Sequence, residues 1–157
     1  MIIINSTPNA DSRTGGKDID FAELVRSTDD HMGHVKLGME FFGRLMETAG
    51  ERHDWTKKAY MEEFHKDLTT LEPGDEFKDG KWYQMHISRE RHHLNSMVPD
   101  DVNLVDIFEF ITDCVMAGMS RAGKVSDIAL PDEVLRNAFN NTVERLKGNV
   151  MIGGMDL

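Results

Sequence analysis

Histidine and aspartate recur in this chain at four separated places: His31, the adjacent His53-Asp54, His86 with His92-His93, and Asp113. A neutral imidazole offers a lone pair and a carboxylate an anionic oxygen, a donor set that suits a divalent transition metal. Each also has an ordinary alternative. A histidine on an apolar helix face is commonly a satisfied core residue. His53-Asp54, in "GERHDWTKKAY", fits a capping aspartate beside an exposed histidine at a helix corner. "HISRERHH" fits a polar surface helix.

Asp113 is harder to dismiss. On a helix predicted over 102–121, Asp106 lies about 20° from it and Glu109 about 40° to the other side. Val105, Phe110, Cys114 and Met116 flank this acidic strip, which faces away from a Leu104, Phe108, Ile111, Val115 stripe. Carboxylates in partly apolar surroundings need a cation, a hydrogen-bond network or a raised pKa. A metal meets that need, and so does an arginine such as Arg121. His86 and His93, seven residues apart, share a helical face, with Arg89 and Glu90 between them.

The elements that must position these residues are helical. A long helix is expected over roughly 21–49, with His31 central on the stripe formed by Val35, Gly38, Phe42, Leu45 and Ala49, and with Gly50 closing it. A second is expected from Asp54 to Leu68, a third from Lys81 through "QMHISRERHHLN", then the helix over 102–121, and a last one opening at Pro131 and running to Gly148. "TTLEPGDEFKDGKWY" carries Pro-Gly and Asp-Gly turn signals and is expected to be a loop or short hairpin near 69–82. Residues 1–20 show no helical period and are expected to form a flexible arm. The expected fold is all-α: about five helices in a single domain over 21–150.

A chain of 157 residues, 39% of them hydrophobic, builds one core of ordinary size. No apolar run approaches membrane-spanning length, so no membrane association is expected. The single cysteine, Cys114, removes any disulfide framework and fits a reducing, cytoplasmic setting. The formal charge of −10 repels polyanions, which argues against bulk nucleic acid but leaves room for a small phosphorylated ligand beside a local cation. The eleven methionines fall mostly at helical core spacing. A homo-oligomer is left open.

Taken in order, H…HD…H…H…D, these residues resemble the HD metal-dependent phosphohydrolase superfamily. A closer resemblance is to a group of small phage and bacterial HD-type proteins, carried by "HMGHV", "HDWTK", "HISRERHH" and "NLVDIFEFITD" over about residues 28–121. The chain departs from that group after Asp113, where it reads "DCVMAGMSR". The resemblance implies a helical bundle converging on one or two divalent ions drawn from Mn, Fe, Co, Ni or Zn, with Mg admitted. It implies His31, His53, Asp54 and Asp113 as ligands of one metal, and His86 with His92 or His93 as ligands of a second, Asp54 bridging. A water ionised there attacks phosphorus in line. Asp54, Lys57 and Glu109 become the expected catalytic residues, with Glu109 or Asp106 orienting the water or holding a ligand histidine. Lys57, Arg89, Arg91 and Arg121 become the expected contacts to a small phosphorylated substrate, a nucleotide in this setting. The host cytoplasm is the expected location if the chain is phage-encoded. Two alternatives keep the same ligands: a di-iron oxygenase, and a non-catalytic nucleotide-binding phage protein stapled by its metal.

Overall fold

In a computed structural model, which describes residues 1–7, 16–72, 74 and 76–153, the chain is predominantly helical. The order is β1 (Ile2–Ile4), α1 (Phe21–Arg52), α2 (Trp55–Ala59), α3 (Met61–Thr69), α4 (Lys81–Arg89), α5 (Leu104–Ala122), α6 (Asp132–Lys147) and β2 (Val150–Ile152), with a 3-10 turn at Phe77–Asp79. The all-α expectation holds. No helix among the described residues is long and apolar enough to cross a membrane. Residues 8–15 of the expected arm, Pro73 of the Pro-Gly turn, Asp75 and residues 154–157 lie outside the described residues.

Two compact units can be distinguished, Met1–Leu45 with Val143–Leu157, and Met46–Thr142. In the first, β1 pairs in parallel with β2 in the register Ile2 to Val150. Ile2 is buried. Part of the expected arm is therefore a paired strand. His34 Nε2 accepts the Asn5 backbone N–H at 3.1 Å.

The second unit holds the core, in which Leu94, Val102, Ile107, Phe110, Val134 and Ala138 pack together, with Leu104, Cys114 and Leu130 against them. The inward face of α5 differs from the expected one: Phe108 is 55% and Ile111 41% exposed, while Asp106, Ile107 and Phe110 are buried. The acid is drawn in because it does structural work. Asn103 and Asp106 form a capping box at the start of α5, and Asp106 also receives Arg91 Nε and Nη2 at 2.7 and 2.8 Å. At the other end Gly123 takes the left-handed conformation, φ 65°, that releases the helix.

Three boundaries differ from expectation, each for a local reason. α1 continues through Gly50 to Arg52, since a glycine inside a helix costs only about 1 kcal/mol. The left-handed turn falls instead on Asp54, φ 57°, the only non-glycine residue with positive φ among those described. The second helix breaks at Tyr60 into α2 and α3. α4 stops at Arg89 because Glu90 is extended, its carboxylate accepting the Thr56 backbone N–H at 2.8 Å. No strand forms among the described residues between 69 and 82.

Asn103→Ala should destabilise the protein by about 1–2 kcal/mol in urea unfolding. Asp106→Ala should cost more, about 2–3 kcal/mol, because it also strands the Arg91 guanidinium.

Candidate metal centre

The chain turns sharply between α1 and α2, and His53 and Asp54 occupy that turn. The left-handed backbone of Asp54 is a strained choice for a side-chain-bearing residue, tolerated best by Asp and Asn. α4 supplies His86, whose ring stacks on Trp82 at 4.8 Å, while Trp82 stacks in turn on Phe64 at 4.0 Å. The turn after α4 supplies His92 and His93. From α5 come Glu109 and Asp113, one turn apart on one face.

These side chains converge on Asp54. Its Oδ1 lies 3.4 Å from His86 Nε2 and 3.7 Å from His92 Nε2. Its Oδ2 lies 3.5 Å from His53 Nε2 and contacts Lys57 Nζ closely. His86 Nε2 and His93 Nε2 are 2.8 Å apart. Glu109 stands behind the histidines: its Oε1 meets His53 Nδ1 at 3.0 Å and lies 3.1 Å from His92 Nδ1, the latter without hydrogen-bond alignment. Asp113 Oδ1 is 3.5 Å from His53 Nε2.

Two groups of potential ligand atoms, each within 4.8 Å of one another, result: Asp54 with His86, His92 and His93, and His53 with His92 and Asp113. The chemistry of the first fits a metal on a specific observation. Asp54 Oδ1 is buried and has no hydrogen-bond partner, and a buried carboxylate oxygen without one is costly unless a cation meets it. One carboxylate and three imidazoles are a transition-metal donor set rather than a calcium one.

Protonation follows the same geometry. Burial works against a charged Asp54, yet Lys57, then His53 and His92, outweigh it and hold the carboxyl below its ordinary value. Glu109 is likewise held low against burial by His92 and His53. Burial lowers His86. His93 is pushed down to about 4 by burial and by His92 and His86. For His92 burial acts in the opposite direction, but Glu109, Asp54 and Asp113 raise it. The cluster thus keeps His86 and His93 neutral, one Nε2–H donating to the other's lone pair, while Glu109 draws proton density toward His92.

The expected ligands are therefore brought together with one exception. His31 is exposed on α1 in the first unit, and no group of ligand atoms among the described residues contains it. The stripe that was to bury it is itself open there, Val35 being 52% exposed. His92 and His93 both join the Asp54 group, although the helix whose spacing favoured His93 ends before either. The metal grouping also differs, since Asp113 falls with His53 and His92 rather than with Asp54.

Among the expected substrate contacts, Arg91 is committed to Asp106 and Asp101, its guanidinium held firmly protonated first of all by Asp106. Arg89 is exposed and donates to Tyr60 Oη at 2.7 Å. Arg121 is exposed near the end of α5. Lys57 sits on Asp54. Sequence reasoning missed Thr56 and Glu90. Thr56 stands inside the "HDWTK" segment beside a lysine with the more obvious charge, and nothing in the polar run "SRER" signals that its glutamate turns inward.

No family model, curated protein or solved structure matches this chain.

His93 gives a pH signature in metal-free protein. With a folded pKa of about 4 against an ordinary 6.5, the unfolded chain takes up a proton in that window that the folded chain refuses. Its contribution to stability is therefore complete above 6.5 and is lost as pH falls toward 4. His93→Gln should lose less melting temperature than wild type between neutral pH and about 4, read by thermal unfolding in chelator.

Proposed function

We propose that this chain is a metal-dependent phosphohydrolase of HD type, acting on a small phosphorylated molecule, a nucleotide in the first instance. The observation that carries the reading is the buried, partnerless Oδ1 of Asp54 among three imidazoles. Asp54, His86, His92 and His93 would hold one ion; His53 and Asp113 could take part in a second only without His92, whose single lone pair serves one ion. Bound there, a divalent ion supplies Lewis acidity and lowers the pKa of water toward neutrality.

The chain's own residues supply the rest. Glu109 holds the His53 ring through Nδ1, leaving Nε2 toward Asp54 and Asp113. Phosphoryl oxygens need local cations on a chain of net charge −10. Lys57 is best placed: one contact to Asp54 leaves its ammonium two further donors. Of the other expected contacts, Arg89 and Arg121 are exposed, Arg89 donating to Tyr60, and Arg91 is taken.

A second reading draws on the cavity beside His53, Glu109 and Asp113. It measures about 390 Å³ and is otherwise walled mainly by Met46, Ala49, Val105, Phe108 and Met116, with no lysine or arginine among the described residues that line it. Such a wall favours an apolar part of a substrate, such as a base. It equally suits an organic compound oxidised at two irons, which coloured, oxygen-consuming protein would favour.

Elemental analysis of purified protein, followed by phosphate release from nucleoside mono- and triphosphates with Mn, Co, Ni or Mg, tests the proposal. Bound metal and metal-dependent phosphate release are expected. Asp54→Asn should strip the metal and lower the rate more than about 100-fold, beyond what loss of an outlying partner costs. Protein that binds no metal, or an Asp54→Asn variant with unchanged metal content and rate, would overturn it.

A further inference from the structure

The least exposed polar group beside the cluster is a hydroxyl that ligates nothing. Thr56 is fully buried, and Glu90 and His86 are 5% and 2% exposed. Thr56 Oγ1 lies 2.6 Å from His86 Nδ1 and 2.5 Å from Glu90 Oε1, which also accepts the Thr56 backbone N–H at 2.8 Å. Counting protons settles the direction of the chain. A carboxylate only accepts, so the single hydroxyl proton of Thr56 goes to Glu90. The hydroxyl oxygen can then only accept from His86, whose Nδ1 must carry the ring proton. A neutral imidazole has one such proton, which leaves Nε2 with its lone pair, accepting from His93 Nε2 at 2.8 Å and lying 3.4 Å from Asp54 Oδ1.

We propose that Glu90 and Thr56 are positioning residues: a carboxylate–hydroxyl relay that locks His86 in its Nδ1–H tautomer and presents the Nε2 lone pair to the Asp54 cluster. It mirrors Glu109, which addresses Nδ1 of His53 directly. The relay spends no ligand, since its atoms lie on the far side of the ring. Because Trp82 already fixes the ring plane by stacking, the relay is left to set which nitrogen carries the proton. Its effect on metal affinity rests on the metal-centre reading; the tautomer assignment does not.

The two are separated by one experiment with two readouts. Long-range proton–nitrogen correlation NMR on metal-free protein, with His86 assigned through its loss in His86→Gln, should show a protonated Nδ1 and a bare Nε2. Thr56→Val, which keeps the shape and the backbone N–H, should shift the ring toward Nε2–H. Thr56→Ser should restore the wild-type pattern. Cobalt titrated into the same proteins should bind about 10- to 100-fold more weakly to Thr56→Val, with recovery in Thr56→Ser. If Thr56→Val does not fold, Thr56→Ala is read in the same way. His86 bearing its proton on Nε2 in wild type, or a tautomer indifferent to Thr56, overturns the relay whatever the metal data say. Wild-type protein that shows the Nδ1–H tautomer but binds no cobalt overturns the metal-centre reading while supporting the relay.

Discussion

A carboxylate oxygen buried without a partner is the constraint on which the rest of this structure turns. Asp54 Oδ1 sits 3.4 Å from His86 Nε2 and 3.7 Å from His92 Nε2, and neither donates a hydrogen bond to it. Leaving such an oxygen dry and unpaired is among the costlier things a fold can do, several kcal/mol by transfer measures. The chain accepts that cost along with a left-handed backbone at the same residue, worth roughly another 1–2 kcal/mol for an ordinary side chain and less for aspartate. Two penalties at one position are the usual mark of a site kept for binding.

The surroundings hold this arrangement rigid. Each inward histidine but His93 has a carboxylate behind it, near or through a hydroxyl: Glu109 for His53 and His92, Glu90 through Thr56 for His86. Asp106 does different work, closing the α5 capping box and pinning Arg91. Three acids that share a helix face thus divide into a cap, a histidine clamp and a ligand candidate. The division is made by what each can reach.

Charge shapes the possible chemistry. Glu109 and the Asp54 group draw protons and cations inward, and Lys57 brings its ammonium against Asp54. The apolar cavity alongside places an uncharged wall next to the His53 and Asp113 pair. The substrate proposed above would set its anionic group near Lys57 and an apolar group in that cavity.

The sequence by itself determined that the chain is helical, that α5 spans most of 102–121, and where its histidines and acids fall; it was the resemblance to HD-type proteins that joined His31, His53, Asp54, His86, His92, His93 and Asp113 into one expected site. Periodicity and residue type carry that information because helices and donor atoms are local properties. Which face of α5 turns inward was decided by tertiary contacts: Arg91 and the histidines reward burial of Asp106 and Glu109, and Phe108 and Ile111 are left outward, against their hydrophobicity. The end of α4 was decided in the same way, by Glu90 leaving the helix to meet Thr56. His31 shows the converse. Its place on an apolar stripe was legible, but burial of a stripe depends on what packs against it, and no local pattern encodes that. The role of Thr56 was the least legible of all. A hydroxyl becomes a relay only when two distant segments bring an acceptor to one side of it and an imidazole to the other.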